Sequence, residues 1–139
     1  MIYLDSAAVV KLAHAEPETQ ALRGWLDERA EIGWISCVLT EIEAFRALAR
    51  YAPDAVSRLP AVLDQVNMIE LTPRIRSQAQ AVRPVTVRSL DAIHLGTALA
   101  SWSEPISFVT YDKPLRDAAK AAGLPVDSPG YSGPFPGAK

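Results

Sequence analysis

The sequence predicts an α/β fold in three layers, with helices on both faces of a central, mainly parallel sheet of four to five strands. Three observations predict it. Short apolar runs at 1–4, 34–36, 68–71 and 106–109 read as buried strands. One or two stretches of helical periodicity separate each run from the next, which implies crossover connections and parallel pairing. The third is size: 139 residues and 15.1 kDa with 49% hydrophobic content suit one domain with one proper core.

In order along the chain, the first strand ends in Asp5-Ser6, a helix cap, and 7–14 continues as a short helix. Glu16-Pro17-Glu18 starts a second helix, with Ala21, Leu22, Trp25 and Leu26 at helical spacing, and Gly33 breaks it. After the strand at 34–36 comes the clearest helix, LTEIEAFRALARY at 39–51, with Ile42, Phe45, Leu48 and Ala49 expected on its buried face. Pro53 starts a further helix to about 66, and the strand at 68–71 follows. Thr72-Pro73 caps the next helix. A loop at 84–88 leads to Ser89, the cap of a helix over 90–102. The strand at 106–109 runs into Thr110-Tyr111-Asp112, and a helix over 113–122 stops at Gly123. A short fifth strand is expected at 124–126. The expected domain spans 1–128, and 129–139 reads as a loose Gly/Pro-rich tail. There is no internal repeat.

The net charge of −2 argues against a general basic coat for nucleic acid. The distribution differs between halves: residues 1–70 carry six Lys/Arg against eleven Asp/Glu, and 71–139 carry eight against five. An acidic half and a mildly basic half could meet at one cleft, or simply be solvated faces. Cys37 is the lone cysteine, so no internal disulfide forms and a cytoplasmic location is expected. No basic stretch precedes the apolar start, and no segment has transmembrane length, so neither a signal peptide nor a membrane association is expected.

The acids carry the chemistry. Asp5 and Asp112 follow the first and fourth strands, so both point to the carboxyl edge of the sheet, where ligands bind in open α/β folds. Asp91 sits in the first turn of the Ser89-capped helix, and Glu43 lies beside the buried face of the 39–51 helix. Singly, each has an ordinary explanation: Asp5 and Asp112 as N-caps, Asp91 as complement to a helix dipole, Glu43 as partner of Arg46 or Arg50. Together, four like charges at one place require a cation between them. Hard oxygen donors select Mg²⁺ or Mn²⁺, which orient and deprotonate water and stabilise charge on a phosphate.

The chain resembles the PIN-domain toxins of the VapC type. The segments that carry the resemblance are MIYLDSAAVVKL at the start, RSLDAIHLGTAL at 88–99 with Asp91 in its acidic position, and FVTYDKPLRDAAKAAGL at 108–124 with Asp112 as its acid. In SCVLTEIEAFRALARY both Glu41 and Glu43 are available. Glu43, three residues before Arg46 and the pair Ala47-Leu48, matches the family pattern; Glu41 points about 200° away around the helix and cannot do the same work. The resemblance implies a PIN-like fold and a homodimeric endoribonuclease that binds Mg²⁺ or Mn²⁺ through Asp5, Glu43, Asp91 and Asp112. It implies structured RNA as substrate, tRNA or ribosomal RNA. It also implies a VapB-type antitoxin that inserts a basic side chain near the acids.

Ser6 and Thr110 adjoin the first and last acids, where a hydroxyl could hold a metal-bound water or a phosphate, though capping and turn formation are the commoner roles. Arg46, Arg88, Lys113 and Arg116 are candidate phosphate contacts. His94, one turn after Asp91, is expected to pack or make a supporting hydrogen bond rather than act as a general base. Trp25, Trp34 and Trp102 are expected in the core or a dimer interface. The competing functions are a PIN nuclease of RNA processing, a PIN fold that binds without cleaving, and a phosphatase-like or response-regulator-like domain. The last lacks its paired Asp-x-Asp and Lys-Pro motifs in this sequence.

Overall fold

The computed structural model describes residues 1–101 and 107–131. Five strands form one sheet: β1 Ile2–Leu4, β2 Trp34–Cys37, β3 Val66–Ile69, β4 Ser107–Val109 and β5 Val126–Asp127. They lie in the order β3-β2-β1-β4-β5, and every neighbouring pair is parallel. The helices are α1 Ser6–Ala13, α2 Thr19–Asp27, α3 Leu39–Tyr51, α4 Leu59–Leu63, α5 Pro73–Gln80, α6 Ser89–Ser101 and α7 Lys113–Ala121, with a 3₁₀ turn at Pro53–Arg58 before α4.

The three layers follow from strand alternation. Ile2 and Leu4 of β1 face one side and join Ala8, Val9 and Leu12 of α1, Leu22 and Leu26 of α2 and Ala44 and Leu48 of α3. Tyr3 points the other way, into a cluster with Ile35, Leu95, Ala98, Phe108 and Leu115. All of β1 is buried, as a parallel strand covered on both faces must be. On the second face α6 lies close on α5 because position 96 is glycine: a Cβ there would stand 2.8 Å from the Ala79 backbone nitrogen. Gly123, at φ +90°, ends α7 as expected.

Topology places the site. From β1 the chain moves outward to β2 and β3 on one side, then returns to β4 and β5 on the other. The crevice of an open α/β sheet lies at such a reversal, here between the carboxyl ends of β1 and β4. Those ends lead directly into Asp5 and Asp112.

Several expectations require correction. Ile42 and Phe45 are 58% and 51% exposed and Ala49 also faces solvent; the buried stripe of α3 is Thr40, Ala44 and Leu48. Small residues on that stripe let α3 pack against α1, so the larger apolar side chains sit outside it. The single helix expected from Pro53 to about 66 is a 3₁₀ turn followed by the short α4. Pro60, which lacks an N–H, stands at the break, and Val66 opens β3 instead of closing a helix. The turn at 17–18 keeps Glu16-Pro17-Glu18 outside α2, and β5 begins at Val126. Trp25 and Trp34 are half-buried against the first core cluster. Trp102, Ile106 and the tail from 132 lie outside the described residues. Among the described residues no helix is long and apolar enough to cross a membrane.

Candidate active site

Asp5 and Asp112 are both N-caps, and capping does not use them up. Asp5 has extended backbone (φ −75°, ψ 175°), and its Oδ1 accepts from the Ala8 N–H at 2.9 Å. Asp112 caps α7, its Oδ2 accepting from the Leu115 N–H at 3.0 Å. Each cap occupies one carboxylate oxygen and leaves the other for the crevice. Thr110, fully buried just after β4, lies beside both: its hydroxyl oxygen accepts from the Asp112 N–H at 3.2 Å, and its side chain helps hold the Asp5 carboxyl down. Thr110 thus makes a turn contact with Asp112.

Asp91 and Asp112 meet at Arg88. The guanidinium donates from Nε and Nη2 to Asp91 Oδ2, both at 3.1 Å, and Nη2 stands 3.8 Å from Asp112 Oδ1. Asp5 lies near enough to Asp91 for the two charges to repel. Burial pushes the Asp5 carboxyl above its ordinary value; the hydrogen bonds from Thr110 and Ala8 and the nearby His94 oppose this without cancelling it. A buried carboxylate beside a second one is a site that needs positive charge.

Glu43 enters from α3, on the other side of α1. Its Oε1 lies 2.9 Å from His94 Nε2, which also has Ser6 Oγ at 3.2 Å. Burial alone would raise the Glu43 carboxyl, but His94, Ser6 and the charge of Arg88 outweigh that and hold it below its ordinary value. Glu41, the alternative on the same helix, is exposed. Glu43 is thus the acid of this helix that reaches the cluster, and its partner is His94 rather than Arg46 or Arg50.

The four sequence-predicted acids consequently surround Arg88 and His94 at the carboxyl edge of β1 and β4. The other candidates divide. Ser6 and Arg88 sit among the acids. Arg46 lies on the exposed face of α3, in an open groove of about 750 Å³ that starts at Glu43 and Arg88 and continues to Arg50, Tyr51 and Leu90. Lys113 pairs with Asp117 one turn along α7, and Arg116 donates to Ser128 Oγ at 2.8 Å, so both are drawn away from the acids.

One member of the site's support, Tyr3, carries no signal in the sequence. Tyr3 reads as an ordinary core residue of β1, yet its hydroxyl lies 2.7 Å from His94 Nδ1. His94, expected from its place one turn after Asp91 to pack or make a supporting hydrogen bond, makes that bond to Glu43.

The donor set fits a hard divalent cation in its chemistry. All four donors are carboxylates, the type Mg²⁺ and Mn²⁺ accept, and the buried Asp5 is only partly compensated by Ala8, Thr110 and His94. Among the described residues no three acids close on one point as a finished ligand set, because Arg88 takes Asp91 and Asp112 while His94 takes Glu43. Arg88 is the stand-in that marks where positive charge belongs.

Residues 2–121 match the PIN domain family. Ribonuclease VapC35 of Mycobacterium tuberculosis is 45% identical over 134 residues, 95% of this chain and 99% of that protein. Two solved structures share the fold at low identity. VapBC2 from Rickettsia felis, bound to a DNA fragment from its promoter, superposes with a TM-score of 0.71 at 14% identity, covering 92% of this chain and 98% of that one. A toxin–antitoxin complex from Klebsiella pneumoniae superposes at 0.66 with 20% identity, covering 94% and 98%.

Proposed function

The chain belongs to the PIN-domain family, in its VapC branch, and from that premise we propose that it is a metal-dependent endoribonuclease, the toxin of a VapBC toxin–antitoxin pair. The observation that carries the reading is that Arg88 spans Asp91 and Asp112 while Asp5 senses the charge of Asp91 at the carboxyl edge of β1 and β4. Likeness over 95% of the chain to a ribonuclease supports the reaction class.

In this reading Asp5, Asp91 and Asp112 hold Mg²⁺ or Mn²⁺, with Glu43 completing the set. Bound there, the cation supplies an activated water and stabilises charge on the scissile phosphate. The chain's own contributions are positional. The Ala8 and Leu115 amides fix one oxygen of Asp5 and of Asp112 and leave the second oxygens free to bind. Thr110 spaces these two acids, and Ser6 orients Glu43. Arg88, three residues before Asp91 and largely exposed, reaches the phosphate of an incoming RNA once the acids are otherwise neutralised. The exposed Arg46 lies along the groove as a second phosphate contact.

The substrate is structured RNA, tRNA or ribosomal RNA, whose cleavage halts translation. Two protein partners belong to the proposal. A VapB-type antitoxin seats a basic side chain over the acids, at the place Arg88 marks, and the toxin–antitoxin complexes of the same fold support it. A second copy of this chain covers exposed apolar side chains outside that groove, such as Phe45.

The test is an incubation of antitoxin-free protein with total bacterial RNA and Mn²⁺ or Mg²⁺, read on a gel beside EDTA and Asp91→Asn controls. Discrete fragments lost in both controls are expected, and their size identifies the RNA. Cleavage that survives EDTA or the Asp91→Asn change defeats the proposal, and intact RNA throughout turns it toward a fold that binds without cutting.

A further inference from the structure

His94 is 2% exposed, so both ring nitrogens must find partners inside the protein. Nε2 lies 2.9 Å from Glu43 Oε1 and 3.2 Å from Ser6 Oγ, and Nδ1 lies 2.7 Å from the Tyr3 hydroxyl. The Tyr3 oxygen in turn accepts from the Cys37 backbone N–H at 3.2 Å. Glu43 as a carboxylate can only accept, so Nε2 carries the hydrogen it accepts, while Nδ1 pairs with the Tyr3 hydroxyl. Tyr3 itself is locked, fully buried and stacked on Phe108 with ring centroids 5.0 Å apart.

We propose that the buried relay Cys37 N–H, Tyr3 and His94 is a positioning device that aims the Glu43 carboxylate at the acidic crevice. The inference rests on the reading of Glu43 as a member of the metal-binding set. Glu43 stands on α3, at the margin of a buried stripe of Thr40, Ala44 and Leu48, and its side chain is held by His94, which belongs to α6. The relay anchors it to β1, the central strand from which Asp5 also projects. Two donors reach the crevice on separate elements, and one strand sets the distance between them. His94 is a positioning residue here: both of its nitrogens are engaged, and it touches no reacting atom.

The experiment measures Mn²⁺ affinity by electron paramagnetic resonance, and kcat and KM on a cleaved RNA, for two substitutions that divide the ring. The Gln amide nitrogen reaches the place of Nε2 and can still donate to Glu43, whereas the Asn amide stops at the place of Nδ1. His94→Asn is expected to weaken Mn²⁺ binding and lower kcat by about 10- to 100-fold with KM for RNA little changed, the range seen when a group behind a ligand is lost. His94→Gln is expected to recover most of both. In a Glu43→Gln background His94→Asn adds no further loss, because the two act through one carboxylate.

If His94→Asn binds Mn²⁺ and cleaves like the wild type while Glu43→Gln is defective, the relay is overturned and the Glu43 reading stands. If Glu43→Gln is itself wild-type in both measurements, the underlying reading fails as well. Equal losses in His94→Asn and His94→Gln reduce His94 to a packing residue and also overturn the proposal. Where a His94 variant does not fold, Tyr3→Phe carries the test, since it keeps the ring stack and removes only the hydroxyl. It is expected to weaken Mn²⁺ binding, and unchanged affinity in that variant decides against the relay.

Discussion

Two basic side chains of this protein each bridge a pair of carboxylates, and they behave as opposites. Lys11 Nζ lies 2.7 Å from Glu16 and 3.0 Å from Glu18, with its side chain 11% exposed and seated 4.7 Å over the Tyr111 ring. Arg88 lies 3.1 Å from Asp91 and 3.8 Å from Asp112, with its side chain 77% exposed. The charge count is the same; the surroundings are not. Lys11 closes the turn between α1 and α2, where Thr19 also donates to the Lys11 carbonyl oxygen, and the ammonium itself contacts Glu16 and Glu18. Its ammonium loses hydration by burial, yet Glu16 and Glu18 more than restore the charged form and raise its proton affinity. Arg88 gives up little hydration and holds its acids through a solvated contact, which a divalent cation or an antitoxin side chain can replace. A buried cation makes a clamp, and an exposed one makes a counter-ion that can be exchanged.

The comparison can be broken at either end. The largest effect is expected at the acids of Arg88: Asp91→Asn or Asp112→Asn lowers metal-dependent cleavage by roughly 1,000-fold or more while thermal unfolding barely changes, since Asn still caps α7. Cleavage near wild type in the folded variants would place these acids outside the reaction. Lys11→Met is expected to reverse the pattern, costing about 2 kcal/mol of stability, below the range for a fully buried pair because Glu16 and Glu18 are 31% and 20% exposed. Cleavage at a temperature well below unfolding is retained.

The same substitution has a pH signature. Lys11 is raised in the fold, so its contribution is fully present below the unfolded value near 10.5 and is lost as pH rises through the folded value. The stability gap between wild type and Lys11→Met, followed by denaturant titration, should therefore be constant through neutral pH and narrow in the alkaline range above about 10.5. A gap that instead closes toward acid would reverse the assigned direction.

Arg88→Ala is a smaller perturbation, expected to change stability by less than about 0.5 kcal/mol. Removing the competing cation should tighten Mn²⁺ binding several-fold and raise KM for RNA, two readouts of opposite sign; weaker Mn²⁺ binding would show that Arg88 supports the acids rather than competing for them. The smallest effect belongs to Glu41→Gln, an exposed change expected within about 0.5 kcal/mol and without loss of cleavage. Comparable loss in Glu41→Gln and Glu43→Gln would undo the choice of register on α3.

Legibility along the chain followed the strength of the local signal. The Leu39–Tyr51 helix has the bounds its periodicity predicts, and Asp5 and Asp112 could be placed because each follows an apolar strand in sequence. The inner face of α3 was misjudged through Ile42 and Phe45, since hydrophobicity marks a face that avoids water without saying whether the chain's own core or another surface covers it. Pro60, in the first turn of α4, is a local signal for the break after Arg58.

The order of short apolar runs and helical stretches determined by itself that this is a parallel α/β protein, because buried strands and crossover helices leave a periodicity in the chain. It also determined which junctions carry acids. Only the tertiary structure decided that Glu43 and not Glu41 reaches the crevice, that Arg88 spans Asp91 and Asp112, and that Tyr3 supports His94 from 91 positions away. Those facts are distances between elements remote in sequence. Packing two separate cores against one sheet sets them, and no local pattern of residues encodes them.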